Sequence, residues 1–177
     1  LGAAPPTDIG LPAVAALAGL PERTTRAALR ALVTAHLLAE HVPGRYRMHD
    51  LVWLYADELV PAPDREHALR RLVDHILASA GAADRLLRPE RQPIDLPSPR
   101  VPPPPDRAAA TAWFVEEHTF LLALLDQAVR RCAHEDVWRL AWTVSGYLVL
   151  SGQLVADLRA WSAAVDAAGT LDRPEPR

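Results

Sequence analysis

The chain has no lysine and no asparagine, and only one cysteine (Cys132) and one methionine (Met48) among its 177 residues. A single thiol rules out an internal disulfide and any CxxC metal or redox pair, so a disulfide-free, cytoplasmic setting is expected. Without lysine there is no phosphate-binding loop ending in Gly-Lys-Ser/Thr, because that loop reaches the phosphates with an ammonium group. A basic excess is also missing. The 19 arginines face 22 acidic residues for a formal charge of -3, which argues against a chain whose main work is neutralising a phosphate backbone. Nor is there a long apolar run: the stretch from Leu140 to Ala156 holds Thr143, Ser145, Ser151, Gln153 and two glycines. It is short for a bilayer span, and no membrane partner is expected. The chain opens on Leu1 with no basic segment ahead of an apolar one, which reads as part of a longer polypeptide.

What is abundant is alanine and leucine, 32 and 27 residues, a bias toward GC-rich codons that marks no site. Proline is unevenly placed. Eight of the 17 prolines lie between Pro89 and Pro105, a density that no helix survives, since each ring removes a donor and disfavours helical geometry in the residue before it. Residues 89–105 are therefore expected to be a semi-rigid, extended connector.

Ahead of the connector, Thr7 or Asp8 is placed to cap a short helix through Leu17 that presents Val14, Leu17 and Ala18 and stops at Gly19. Pro21-Glu22 opens a second helix whose Ala28, Leu29, Leu32, Val33 and Leu37 recur at helical spacing, which buries one side and leaves Arg23, Arg26 and Arg30 on another. Two extended runs around Pro43-Gly44 predict a β-hairpin over 38–48. Asp50 then caps a helix through Val60 with Leu51, Leu54, Tyr55 and Leu59 on one face. Asp64 to Leu87 reads as one long helix with the stripe Leu69, Leu72, Val73, Ile76 and Leu77. Beyond the connector, Asp106 caps a helix carrying Trp113, Phe114, Phe120, Leu121, Leu124, Leu125 and Val129. Helices over 135–150 and 153–168 follow, and loops this short make neighbouring helices antiparallel.

The expected fold is mainly α. It comprises a winged-helix module with a small β-hairpin over 1–60, its first helix lying ahead of Leu1, then a linker helix over 61–88. The connector over 89–105 and stacked antiparallel helical hairpins over 106–171 complete it. The tail after Leu171 is expected to stop short of another full repeat.

Few residues offer chemistry. His67 and His75 stand eight apart on one helix, and His118 and His134 are isolated beside acidic residues, so no pair has metal-ligand spacing. Cys132 follows Arg130-Arg131 near a helix end with no obvious base, which favours a plain thiol over a nucleophile. No metal site and no enzyme activity are expected of the chain alone. Trp113, Phe114, Trp138, Trp142, Tyr147 and Trp161 recur at helical spacing and read as core. Met48-His49-Asp50 is more informative, since it lies where a strand gives way to a helix. In one reading Met48 is core, Asp50 a cap and His49 a loop side chain; in the other His49, beside exposed helix N–H groups, offers a donor to an anion.

The segment AHLLAEHVPGRYRMHDLVWLYADE resembles the winged-helix region that follows the nucleotide-binding module in STAND-type NTPases of the NB-ARC class, with their Met-His-Asp signature. The order of parts resembles the large actinobacterial regulators related to the Streptomyces antibiotic regulatory proteins. There a winged helix, a helical linker ending in ADRLLRP (here Ala83 to Pro89) and tetratricopeptide-like repeats (entered here at AAATAWFVEEHTFLLALL) follow one another. The resemblance implies that His49 contacts the β-phosphate of ADP held by a nucleotide-binding domain upstream in the same polypeptide, with Asp50 holding the turn. It also implies that the repeats receive a protein or peptide signal. ADP or ATP would belong to the parent protein, and this chain alone is expected to bind no cofactor. Gly152, Trp161 and Ala164 fall where a tetratricopeptide-like repeat places a turn glycine, an aromatic and a small residue, while Asp157 and Ser145 depart from it.

The rival reading is direct DNA binding, with Arg23, Arg26 and Arg30 on the second helix and Arg45 and Arg47 on the wing. Five arginines against six acidic residues over 1–60 weigh against it, because DNA-binding modules carry a basic balance.

Overall fold

The computed structural model describes residues 1–98 and 101–171; the tail over 172–177 and two residues of the proline-rich connector lie outside the described residues. The chain is mainly helical with one small antiparallel sheet. It divides into two compact units, Leu1–His75 and Ile76–Arg177, the division falling within one long helix.

The first unit opens with β1 (Ile9–Gly10), followed by α1 (Leu11–Ala18), α2 (Glu22–Thr34), β2 (Leu38–Val42), β3 (Arg45–Met48), α3 (Asp50–Leu59) and the start of α4 (Ala62–Leu87). The hairpin forms as its Pro-Gly turn demands, with Gly44 at φ +78, where a side chain would be strained. The unforeseen element is β1. It pairs with β3 so that Ile9 faces Tyr46, giving the sheet order β1-β3-β2. Two residues after a Pro-Pro pair are too few to show an alternating pattern.

Because Ile9 and Gly10 are extended, Gly10 is the N-cap of α1, and neither Thr7 nor Asp8 caps it. Gly19 ends α1 in the left-handed conformation. The Arg71 guanidinium donates to the last carbonyls of α1, Ala16 O at 3.2 Å and Leu17 O at 2.7 Å, where positive charge complements the helix dipole. Ile9, Val14, Leu17, Leu29, Leu38 and Tyr46 are buried together as the core of this unit.

Helical periodicity located apolar faces here, but several are uncovered. Ala18 is exposed. α2 ends at Thr34, so Leu37 falls outside it; only Thr25 and Leu29 of the helix are buried, while Ala28 and, beyond the helix, Leu37 are exposed. In α3 no residue is buried, and Leu51, Leu54, Tyr55 and Leu59 stand exposed. The helix is held instead by Trp53, whose Nε1 donates to Ala4 O at 2.9 Å, and by the Asp57–Arg65 ion pair.

The second unit holds the rest of α4 with α5 (Arg107–Arg130), α6 (His134–Leu150) and α7 (Leu154–Leu171). Asp106 caps α5 as expected, its Oδ1 accepting from Ala109 N at 2.8 Å. Phe114, Phe120, Leu121, Leu124, Leu140 and Leu148 are at most 1% exposed, and Phe114 stacks on Tyr147 at 5.1 Å between centroids. Val129, assigned to the α5 stripe, is exposed. So is much of Trp161, whose Nε1 donates to Ser145 Oγ at 2.9 Å. Cys132 and Gly152 take positive φ in the turns after α5 and α6, which pack as antiparallel neighbours joined by short connections. Ala160, Ala164 and Ala167 turn inward from α7.

The described part of the proline-rich connector is not helical, and it is packed down rather than free. Leu96 lies over Gly81, where a Cβ would come within 2.4 Å of Leu96 Cδ1. The α5 residue Arg107 donates to Leu87 O at 2.8 Å.

Candidate functional site

Strand alternation fixes what surrounds His49. In β3, Tyr46 is buried under the sheet, which sends Arg47 to the outside. At the end of the strand His49 takes extended backbone, φ -61 and ψ 142, and becomes the N-cap of α3. Its carbonyl accepts from Trp53 N at 2.8 Å, while its side chain makes no capping hydrogen bond. Asp50, expected to be the cap, is the first residue of the helix, where its carboxylate complements the dipole. The helix begins one residue early because His49 is already extended and can fill the half-in position.

The result is an open depression of about 570 Å³ lined by Ala39, Arg47, Met48, His49, Asp50, Leu51 and Val52. His49 and Arg47 are both exposed at its rim. The first backbone N–H groups of α3 have no partner within the helix. An imidazole, a guanidinium and a helix N-terminus together form a donor set for an anion, against which Asp50 sets one negative charge. Among the described residues, no cluster of three His, Cys, Asp or Glu side chains could hold a metal ion.

The arginines proposed as a DNA face divide between α2 and the hairpin, and Arg26 and Arg30 lie within electrostatic reach of Tyr46 on β3. Arg23, Arg26 and Arg30 are exposed on α2. Arg45 is half-buried, and its Nη2 donates to Asp8 O at 3.3 Å. Arg47 belongs to the depression beside His49. The Tyr46 phenol lies within electrostatic reach of Glu40, Arg26 and Arg30. Burial, and then the Glu40 carboxylate, push the Tyr46 phenol above its ordinary range, partly offset by those two arginines.

The other single residues have structural surroundings. His118 Nδ1 lies 3.0 Å from Phe114 O, with its ring beside Tyr147. His75 is buried, and Cys132 is exposed in a tight turn. The Ala83–Pro89 motif supplies Asp84, which is 1% exposed. Arg91 reaches it at 3.4 Å, donates to Trp142 O at 2.8 Å and lies 3.7 Å above the Trp142 ring. Burial raises the Asp84 carboxyl above its usual range and Arg91 opposes the rise. Sequence spacing gave no sign of this long-range node, in which Gly146 packs so close that a Cβ would stand 2.1 Å from Asp84 Oδ1.

No family model matches the chain, and no solved structure matches it. Two curated relatives do. The regulatory protein AfsR of Streptomyces griseus is 42% identical over 137 residues, 72% of this chain and 14% of the relative. The regulatory protein AfsR of Streptomyces coelicolor is 37% identical over 139 residues, again 72% of this chain and 14% of the relative. The chain thus spans about one seventh of the length of the curated relatives it matches.

Proposed function

We propose that this chain is a regulatory segment of an AfsR-like regulator, in which the first unit is a winged-helix module that reads bound nucleotide through His49. The second unit, in this reading, is the start of a tetratricopeptide-like array that receives a protein or peptide signal. Similarity to two proteins named as regulatory supports the regulatory role. Nucleotide sensing is supported chiefly by the placement of His49, exposed as the uncapped N-cap residue of α3 beside Arg47. A β-phosphate seated there would accept from the imidazole, the guanidinium and the first helix N–H groups, joining the module to the domain that holds the nucleotide.

In this mechanism the parent protein rests in a closed, ADP-held state. A signal at the repeats shifts it toward an open one, which requires the signal to bind the open state better. The chain itself contributes no phosphate loop, so ADP or ATP would be held by the upstream domain. The test is regulatory output in the polypeptide that joins this segment to its nucleotide-binding domain. His49→Ala should raise basal output in the absence of signal, and unchanged basal output would refute the reading.

A second reading, DNA binding by α2, is favoured by the exposure of Arg23, Arg26 and Arg30 along one helix. Retardation of random duplex at low salt, lost in Arg26→Ala and Arg47→Ala, would favour it over nucleotide sensing.

A further inference from the structure

The proline-rich connector lies on the second unit as a peptide ligand lies on its receptor. Among the described residues, no backbone–backbone hydrogen bond ties 92–98 to the rest of the unit, so side chains hold the segment in place. Leu96 packs over Gly81 of α4, and Arg91 is the second anchor. Its guanidinium enters a pocket made by the Asp84 carboxylate at 3.4 Å, Trp142 O at 2.8 Å and the Trp142 ring, 3.7 Å from the centroid. Gly146 leaves room for the carboxyl, which is buried on α4. An anion, a carbonyl and an aromatic face together favour a flat guanidinium over a compact ammonium. Proline-rich segments suit such aromatic surfaces, because they are extended before they bind.

The hold is incomplete. Both side-chain hydrogen bonds of Arg91 leave from Nη1, while Asp84 Oδ1 is buried without a partner. Asp157 of α7, within electrostatic reach of Arg91, also keeps a buried Oδ1 without one. Arg88, the other cation near Asp84, is engaged with Glu90 at 2.6 Å. Two carboxylates therefore share one guanidinium, and their unsatisfied oxygens carry a cost that a better-placed donor would remove. We propose that the connector is a tethered stand-in for the signal, which is an extended, arginine-bearing segment of another protein. That segment takes the pocket of Asp84 and Trp142 and displaces residues 91–98. Exchange of one arginine for another keeps Asp84 paired throughout, whereas simple release would strand a buried carboxylate. The proposal rests on the reading of the second unit as the receiver of a protein or peptide signal, and names the chemistry of that signal.

Fluorescence anisotropy of a labelled ten-residue peptide, residues 89–98, titrated with the 177-residue chain provides the test. In wild type the tether competes at an effective concentration in the millimolar range. Arg91→Ala withdraws the tethered guanidinium and should bind the peptide at least about tenfold tighter than wild type. The peptide carrying R91K should bind that variant at least about tenfold more weakly than the unaltered peptide. Leu96→Ala, which loosens the other anchor, should also bind the peptide more tightly than wild type. Should Arg91→Ala lose the wild-type circular dichroism spectrum, the comparison of Leu96→Ala with wild type decides. Peptide bound no better by the folded variants than by wild type overturns the proposal, as does equal binding of the two peptides. In the polypeptide joined to its nucleotide-binding domain, output unmoved at saturating peptide refutes the signal-receiving reading and leaves the exchange at the pocket standing.

Discussion

The two units handle similar amphipathic helices in opposite ways. In the second unit, α6 buries nine of its 17 residues, including Val137, Leu140, Val144 and Leu148. In the first, α3 buries none of its ten, although Leu51, Leu54, Tyr55 and Leu59 follow the same helical spacing. An apolar stripe is therefore not in itself a core. In the second unit neighbouring helices meet the stripes of α5 and α6, though not that of α7, while in the first the sheet and α1 form the core and α3 keeps its stripe outside. His49 begins that uncovered helix, so the reading that assigns it a ligand falls in the unit with the more open surface.

Core truncation should separate the units most widely. Phe114→Ala, at a position 0% exposed, should cost about 3–5 kcal/mol. Leu54→Ala, 52% exposed, should change stability by no more than about 0.5 kcal/mol. Urea denaturation of the two variants measures both, and equal losses would mean that α3 is covered after all.

The buried ion pair comes next. Arg91→Ala takes from the buried Asp84 carboxyl the cation that offsets its burial, and from Trp142 O its donor, and should cost about 3 kcal/mol. Burial raises the folded-state pKa of Asp84, so its neutral form is favoured on folding. The stability this supplies is fully present below the unfolded value of about 4 and is lost as pH rises through the folded one. Asp84→Asn should remove that component from urea midpoints followed from acid to neutral pH. An unchanged pH profile would show that the carboxyl is solvated.

Two glycines sharpen the contrast between space and backbone. Gly146→Ala drives a methyl into Asp84 and should cost about 1–3 kcal/mol through overpacking. At Gly44 nothing lies within 4 Å of an added Cβ, so Gly44→Ala should cost only about 1–2 kcal/mol, from its left-handed backbone. Thermal unfolding of the pair distinguishes the two causes. A loss at Gly44 as large as the largest expected at Gly146 would mean that the hairpin turn is packed.

Much of the helical architecture was legible because periodicity survives over long segments. Leu69, Leu72, Val73, Ile76 and Leu77 are all buried as their spacing implied, and Asp106 and Gly19 end their helices by local chemistry. Three features were not legible. β1 is too short to have a period. Periodicity reports which face of α2, α3 and α7 is apolar, but not whether anything covers it. The Asp84–Arg91–Trp142 node ties Arg91 to Trp142, 51 positions away, where no local rule reaches. The candidate site was legible as the position of His49 at a strand-to-helix junction, although Arg47 was assigned elsewhere and Asp50 was given the capping role that His49 occupies.

Nucleotide retained by the polypeptide that links this segment to its nucleotide-binding domain tests the account most directly, read as moles of ADP released by acid per mole of purified protein. His49→Ala should lower that ratio while the urea midpoint of the 177-residue chain stays within about 0.5 kcal/mol of wild type, since the ring is exposed. Full ADP occupancy in the variant would contradict the claim that His49 reads the nucleotide.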